Sequence, residues 1–82
     1  MVKCYLRQGD DYLEDAKLMP SLQAAKDEFE STARELARFG QKIEATVHIY
    51  DPRVMNGALF CHEYPDYVLS LGPKGGLRCD RA

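Results

Sequence analysis

The sequence predicts an α+β fold: a small, mostly antiparallel sheet of about four strands with one amphipathic helix packed on one face. Three patterns lead there. Apolar and polar residues alternate at 2–7 and again at 43–50, which gives each of these strands one apolar face. Between them, apolar residues recur at steps of three and four from Leu22 to Leu36, the period of a helix with one buried stripe. After residue 66, two short apolar runs flank a glycine-rich turn, as in a hairpin. At 82 residues the chain has material for one hydrophobic core, so residues 1–82 read as a single domain. A composition 45% hydrophobic and 29% charged, with 6 glycines and 4 prolines, is that of a packed chain and not of a disordered one.

The first strand places Val2, Cys4 and Leu6 on one face and Lys3, Tyr5 and Arg7 on the other. Gly9, Asp10 and Asp11 supply turn residues, and Tyr12 to Met19 is ambiguous between a short strand and a helical turn. Pro20 pushes its predecessor toward extended geometry and so favours a strand near Ala16 to Met19. Ser21 is the best helix start in the chain, because its hydroxyl can accept from an unpaired amide of the first turn. Leu22, Ala25, Phe29, Ala33 and Leu36 form the buried stripe, Glu30 and Arg34 are ordered for an ion pair one turn apart, and Gly40 is placed to end the helix in a left-handed turn.

The strand at 43–50 turns Ile43, Ala45, Val47 and Ile49 inward and Glu44, Thr46, His48 and Tyr50 outward, and Asp51-Pro52 stops it. Tyr67 to Leu71 and Leu77 to Asp80 read as the two strands of a hairpin around Gly72 to Gly76. The stretch from Pro52 to Pro65 is long for a connection in so small a domain and unusually apolar. Val54, Met55, Leu59, Phe60 and Tyr64 must either cap the open edge of the core or present a contact patch, and Asn56-Gly57 within it is a turn signal.

The charge is −2, from 11 basic and 13 acidic residues, without the basic excess that drives nucleic-acid binding. It is uneven: residues 9–35 carry Asp10, Asp11, Glu14, Asp15, Asp27, Glu28, Glu30 and Glu35 against Lys17, Lys26 and Arg34, which suits either a solvated helix face or a meeting with a basic partner. No apolar run approaches the roughly 18 residues of a membrane span, and MVKCYLRQGD meets charge before a signal-peptide-like stretch could form. A soluble, cytoplasmic chain with no membrane partner is expected. Cys4, Cys61 and Cys79 are odd in number and lack the spacing of a zinc knuckle; Cys61-His62 is the one ligand-like pair, and neighbours on a strand point to opposite faces. No metal and no cofactor are expected.

The segments SLQAAKDEFESTARELARFGQKIEATVHI (Ser21 to Ile49) and YPDYVLSLGPKGG (Tyr64 to Gly76) resemble small uncharacterised proteins of bacterial mobile elements: plasmids, integrative elements and genomic islands. The resemblance covers about half of the chain and brings no catalytic motif. It implies an accessory role in a bacterial cell, in which binding a macromolecule is the job.

The residues offer two binding surfaces. One is the outer sheet face, with Lys3, Tyr5, Arg7, His48, Tyr50 and Arg78; the other is the loop with Val54, Met55, Leu59, Phe60 and Tyr64. Tyrosines beside basic residues can stack nucleic-acid bases, but no RNA-recognition signature is present, and tyrosine also pairs well across strands. His48 beside Glu44 lacks a nucleophile and an oxyanion donor, so no catalytic residue is assigned and no enzyme is expected. Gly72 to Gly76 lacks the spacing of a phosphate-binding loop and joins two strands. The expected function is a protein-binding module that self-associates, most simply as a homodimer. The alternatives are a single-stranded nucleic-acid binder using the tyrosine and basic face, and an acidic inhibitor of a host defence protein that binds nucleic acid.

Overall fold

The computed structural model describes residues 1–13, 16–51 and 61–82. In chain order these form β1 (Val2–Gln8), β2 (Asp11–Tyr12), β3 (Lys17–Met19), α1 (Leu22–Ala37), β4 (Glu44–Ile49), β5 (Tyr67–Leu71) and β6 (Leu77–Arg81). The class is α+β as expected, with every pairing antiparallel and the strands in the order β2-β1-β4-β5-β6, while β3 also pairs with β1.

The described residues hold six strands, not about four, and the excess lies in the ambiguous segment after Gly9. A left-handed Gly9, φ 63°, turns the chain back on β1, where Tyr12 faces Arg7 and Lys17 faces Cys4. Five residue steps on the returning chain thus oppose three on β1, so this edge is one strand broken into two. The favoured strand near Ala16 to Met19 is there as β3, three residues long because Pro20 and then the helix cap end it.

Helix α1 begins and ends where its capping residues place it. Ser21 is extended and its Oγ accepts from the Ala24 amide at 3.1 Å. At the other end Gly40 adopts φ 75°, and the amides of Gly40 and Gln41 donate to the carbonyls of Ala37 and Leu36, a Schellman closure that satisfies the last turn. Glu30 and Arg34 meet at 3.0 Å, and Lys17 on β3 reaches Glu28 at 2.7 Å, tying the broken edge to the helix.

The core is the expected choice of faces. Ala25, Phe29 and Ala33 of α1 lie buried against Val2, Cys4, Ile43, Ala45, Val47 and Leu69, with Leu6, Leu22, Leu36, Ile49 and Leu71 partly buried around them. The β5–β6 hairpin closes through Pro73, Lys74 and a left-handed Gly75, φ 82°, the three-residue loop whose last position needs glycine. Among the described residues no helix is long and apolar enough to cross a membrane.

Phe29 is the largest fully buried side chain among the described residues, within the core between α1 and the sheet. Phe29→Ala should destabilise the fold by ~3–5 kcal/mol in urea titration, a large part of the stability of so small a domain. A loss below about 1 kcal/mol would show that the helix does not depend on this contact.

Candidate functional site

The helix takes one face of the sheet, and the opposite face gathers most of the residues singled out above. On β1 it carries Lys3, Tyr5 and Arg7; pairing adds Leu18 opposite Lys3 and Tyr12 opposite Arg7. On β4 it carries Thr46 and His48, which face Tyr5 and Lys3. Arg78 stands two strands further out on β6, opposite Ser70, and is paired with Asp80 at 3.7 Å. The sheet thus brings Lys3, Tyr5, Arg7 and His48 together and leaves Arg78 at the rim.

The aromatic groups interlock. The Tyr5 ring meets Tyr12 edge-on at 5.5 Å and His48 edge-on at 5.4 Å. Lys3 Nζ lies 5.6 Å from the centre of the Tyr5 ring, and the Arg7 guanidinium lies 5.6 Å from that of Tyr12. A hydrogen bond from the Lys3 ammonium to the Tyr5 oxygen, with the negative charge that oxygen takes when ionised, raises Lys3 above its ordinary 10.5. Arg7 has Asp10 at 3.8 Å, while its Nε is buried with no hydrogen-bond partner among the described residues. Leu18 and Tyr12 are 56% and 63% exposed, so the face is apolar and cationic along the β2–β3 side.

The centre of the face differs from the open surface expected. Thr46 and His48 are only 6% and 8% exposed. His48 Nδ1 lies 2.8 Å from the His62 carbonyl, which can only accept, so this nitrogen carries the hydrogen. The imidazole is a pinned structural group and not a solvated one.

His62 and two carboxylates form a cluster that the sequence reading missed. The chain leaves β4 at Tyr50, and Cys61 returns to pair with Tyr50 in an isolated bridge. The His62 amide then donates to the Ile49 carbonyl at 3.0 Å and the Asp66 amide to the Val47 carbonyl at 2.8 Å. The Asp66 carboxylate accepts from the Ile49 amide at 2.8 Å and from His62 Nδ1 at 3.0 Å, while His62 Nε2 faces Asp51 at 3.4 Å. Asp66 and Asp51 hold the imidazole pKa above its ordinary 6.5. Burial pushes the Asp66 carboxyl up, but the Ile49 amide and His62 outweigh it and leave its pKa below the ordinary 3.8.

Both ring nitrogens of His62 therefore face carboxylates. The arrangement is a clip that holds residues 61–66 on β4. The signal was available in part, since His62 and Asp66 are four residues apart beside a strand end at Asp51; nothing in a periodicity marks them. Among the described residues no group of three or more His, Cys, Asp or Glu side chains is arranged to hold a metal ion. Of the loop positions, Tyr64 is 78% exposed, and Val54, Met55, Leu59 and Phe60 lie outside the described residues. Tyr50 is half-buried and donates its amide to the Met1 carbonyl. Comparison of the chain with protein-family models, with curated proteins and with solved structures finds no match.

The clip predicts a pH window. A raised imidazole pKa contributes stability that is complete below 6.5 and lost as pH rises through the folded value. A depressed carboxyl pKa contributes stability that is present above 3.8 and lost as pH falls through the folded value. The difference in melting temperature between wild type and His62→Ala should therefore be largest between these limits and shrink on both sides. A difference that grows above neutral pH would show that the clip does not depend on the charged imidazole.

Proposed function

We propose that this protein is a small binding module that docks a protein partner on the outer face of its sheet, performs no chemistry of its own, and works as a homodimer. The observation that carries this reading is the cluster of Tyr5, Tyr12, Lys3 and Arg7 on the face opposite the helix, with exposed Leu18 beside it. Tyrosine and arginine are the residues that anchor protein interfaces, because they offer large rigid area with a polar end. The resemblance to bacterial mobile-element proteins supports an accessory role of this kind.

A second reading, single-stranded nucleic acid, is favoured by the same tyrosines with cations beside them. It is the weaker one. Lys3 and Arg7 already lie over the Tyr5 and Tyr12 rings, Glu44 and Asp80 share the face, and the overall charge is −2.

Capture from bacterial lysate, followed by titration of the purified partner, tests the first reading. Tyr5→Ala with Tyr12→Ala should weaken binding by about 30-fold or more, as loss of interface anchors does, while Arg38→Glu at the far end of the helix should leave it unchanged. Equal binding by wild type and the tyrosine variant would remove the sheet face from the proposal. Binding of a labelled single-stranded oligonucleotide that falls steeply with salt would move the assignment to nucleic acid.

A further inference from the structure

The two edges of the sheet are treated differently. The β2–β3 edge is divided between two short strands whose registers on β1 differ, a feature that discourages pairing with another chain. The β6 edge is a continuous strand, Leu77–Arg81, and among the described residues nothing pairs with its outer side. Its backbone phase follows from the hairpin. Gly72 N–H donates to the Gly76 carbonyl at 2.7 Å and Ala82 N–H to the Asp66 carbonyl at 3.2 Å, both in the register that sets Leu69 opposite Cys79. Hydrogen-bonded pairs alternate along an antiparallel ladder, so Arg78 and Asp80 turn their amides toward β5. Leu77, Cys79 and Arg81 turn theirs to the open edge.

Two copies meeting there about a two-fold axis must match outward-facing amides with outward-facing amides. Three registers keep most of the strand paired. Centred on Arg78, the strands set Arg78 against Arg78 of the second copy; centred on Asp80, they set Asp80 against Asp80, and like charges directly opposite repel. Centred on Cys79, they set Arg78 against Asp80 twice, at the close pairs without hydrogen bonds between them, and match Leu77 with Arg81 and Cys79 with Cys79 at the hydrogen-bonded pairs. Both charged side chains are more than half exposed and pair with each other within the strand at 3.7 Å, a contact that the two cross-strand pairs would replace.

We propose that a second copy of this chain docks antiparallel on the β6 edge, in the register centred on Cys79, giving a sheet continuous across the dimer with both helices on one side. The inference rests on the self-association reading above and specifies where and how it occurs. Because Arg78 and Asp80 alternate with outward-facing amides, the strand is complementary to itself in one register and repelled in its neighbours. Cys79 carries a free thiol at the symmetry centre. Hydrogen-bonded pairs hold Cα atoms about 5.5 Å apart, within the range a disulfide spans.

The test uses the full chain. Sedimentation equilibrium should give a dimer for wild type, a dissociation constant raised about tenfold or more by Arg78→Asp or by Asp80→Arg, and recovery in the double variant Arg78→Asp with Asp80→Arg, which restores the pairs in reverse. Copper phenanthroline should join wild-type copies through Cys79 and fail with Cys79→Ser. Circular dichroism confirms that each variant folds. A dimer indifferent to both charge changes and not joined through Cys79 would overturn the β6 edge while leaving self-association intact, and single variants that weaken without rescue by the double would overturn the register. A monomer at high micromolar concentration would overturn both.

Discussion

A 16-residue helix is about 24 Å long and about 10 Å wide, and a sheet five strands across spans about 20 Å, so α1 crosses one face as a band that touches strands from β3 to β6 without covering all of it. The arrangement of the chain answers that shortage. Phe29 is fully buried in the core, and Ala45 and Val47 of the central strand are fully buried with it. The opposite face of the same strand is almost as dry, at Thr46 and His48, although among the described residues no helix lies over it. Side chains of neighbouring strands close it instead: the Tyr5 ring leans edge-on against His48, and Tyr12 leans on Tyr5. An imidazole in such a place must have a partner, and the carbonyl of His62 provides it.

That requirement links the sheet to the clip. The His62 carbonyl reaches His48 only because the His62 amide and side chain are themselves fixed, the first on Ile49 and the second between Asp66 and Asp51. Asp66 in turn accepts from the Ile49 amide while its own amide donates to Val47, so one residue grips β4 by backbone and side chain together. Closing a long connection costs conformational entropy, and a set of short hydrogen bonds where it rejoins the sheet offsets that cost at the point where it arises. A histidine between carboxylates thus reads as a fastening whose strength follows pH.

How much of this was legible depended on range. Ser21, Gly40 and Gly75 act on their own neighbours, through a cap or a backbone angle that few residues adopt, and each stands where its local chemistry places it. The inward set at Val2, Cys4, Ala45, Val47 and Leu69 follows from a period of two, which survives without knowledge of the partner strand. Residues 11–19 were ambiguous because a strand of two or three residues is too short to show a period, and its pairing is set by β1 and by the turn at Gly9. The clip was only partly legible, for a different reason. Asp66 meets Ile49 across 17 positions, and a contact between polar groups so far apart leaves no pattern in the sequence. Tyr12 was missed as a neighbour of Tyr5 because its strand was not assigned, whereas Lys3, Tyr5, Arg7 and His48 fell on one face by alternation alone.

The edges complete the argument about faces. An open strand edge is a hazard because its backbone will pair with any other strand, and charged side chains are the usual means of discouraging it. On β6 the charges alternate in sign about Cys79, and this arrangement separates two effects that a uniform charge would combine. A row of lysines repels every copy in every register. Arg78 and Asp80 repel a copy that arrives one step out on either side and attract one that arrives in line, so their order contributes selectivity more than affinity. The affinity must come from the backbone hydrogen bonds and from Leu77 and Cys79 at the rim of the core. In the dimer proposed above, pairing at β6 would leave the outer face of β1 and β2 unobstructed, so the second copy and the proposed partner would not compete for one surface.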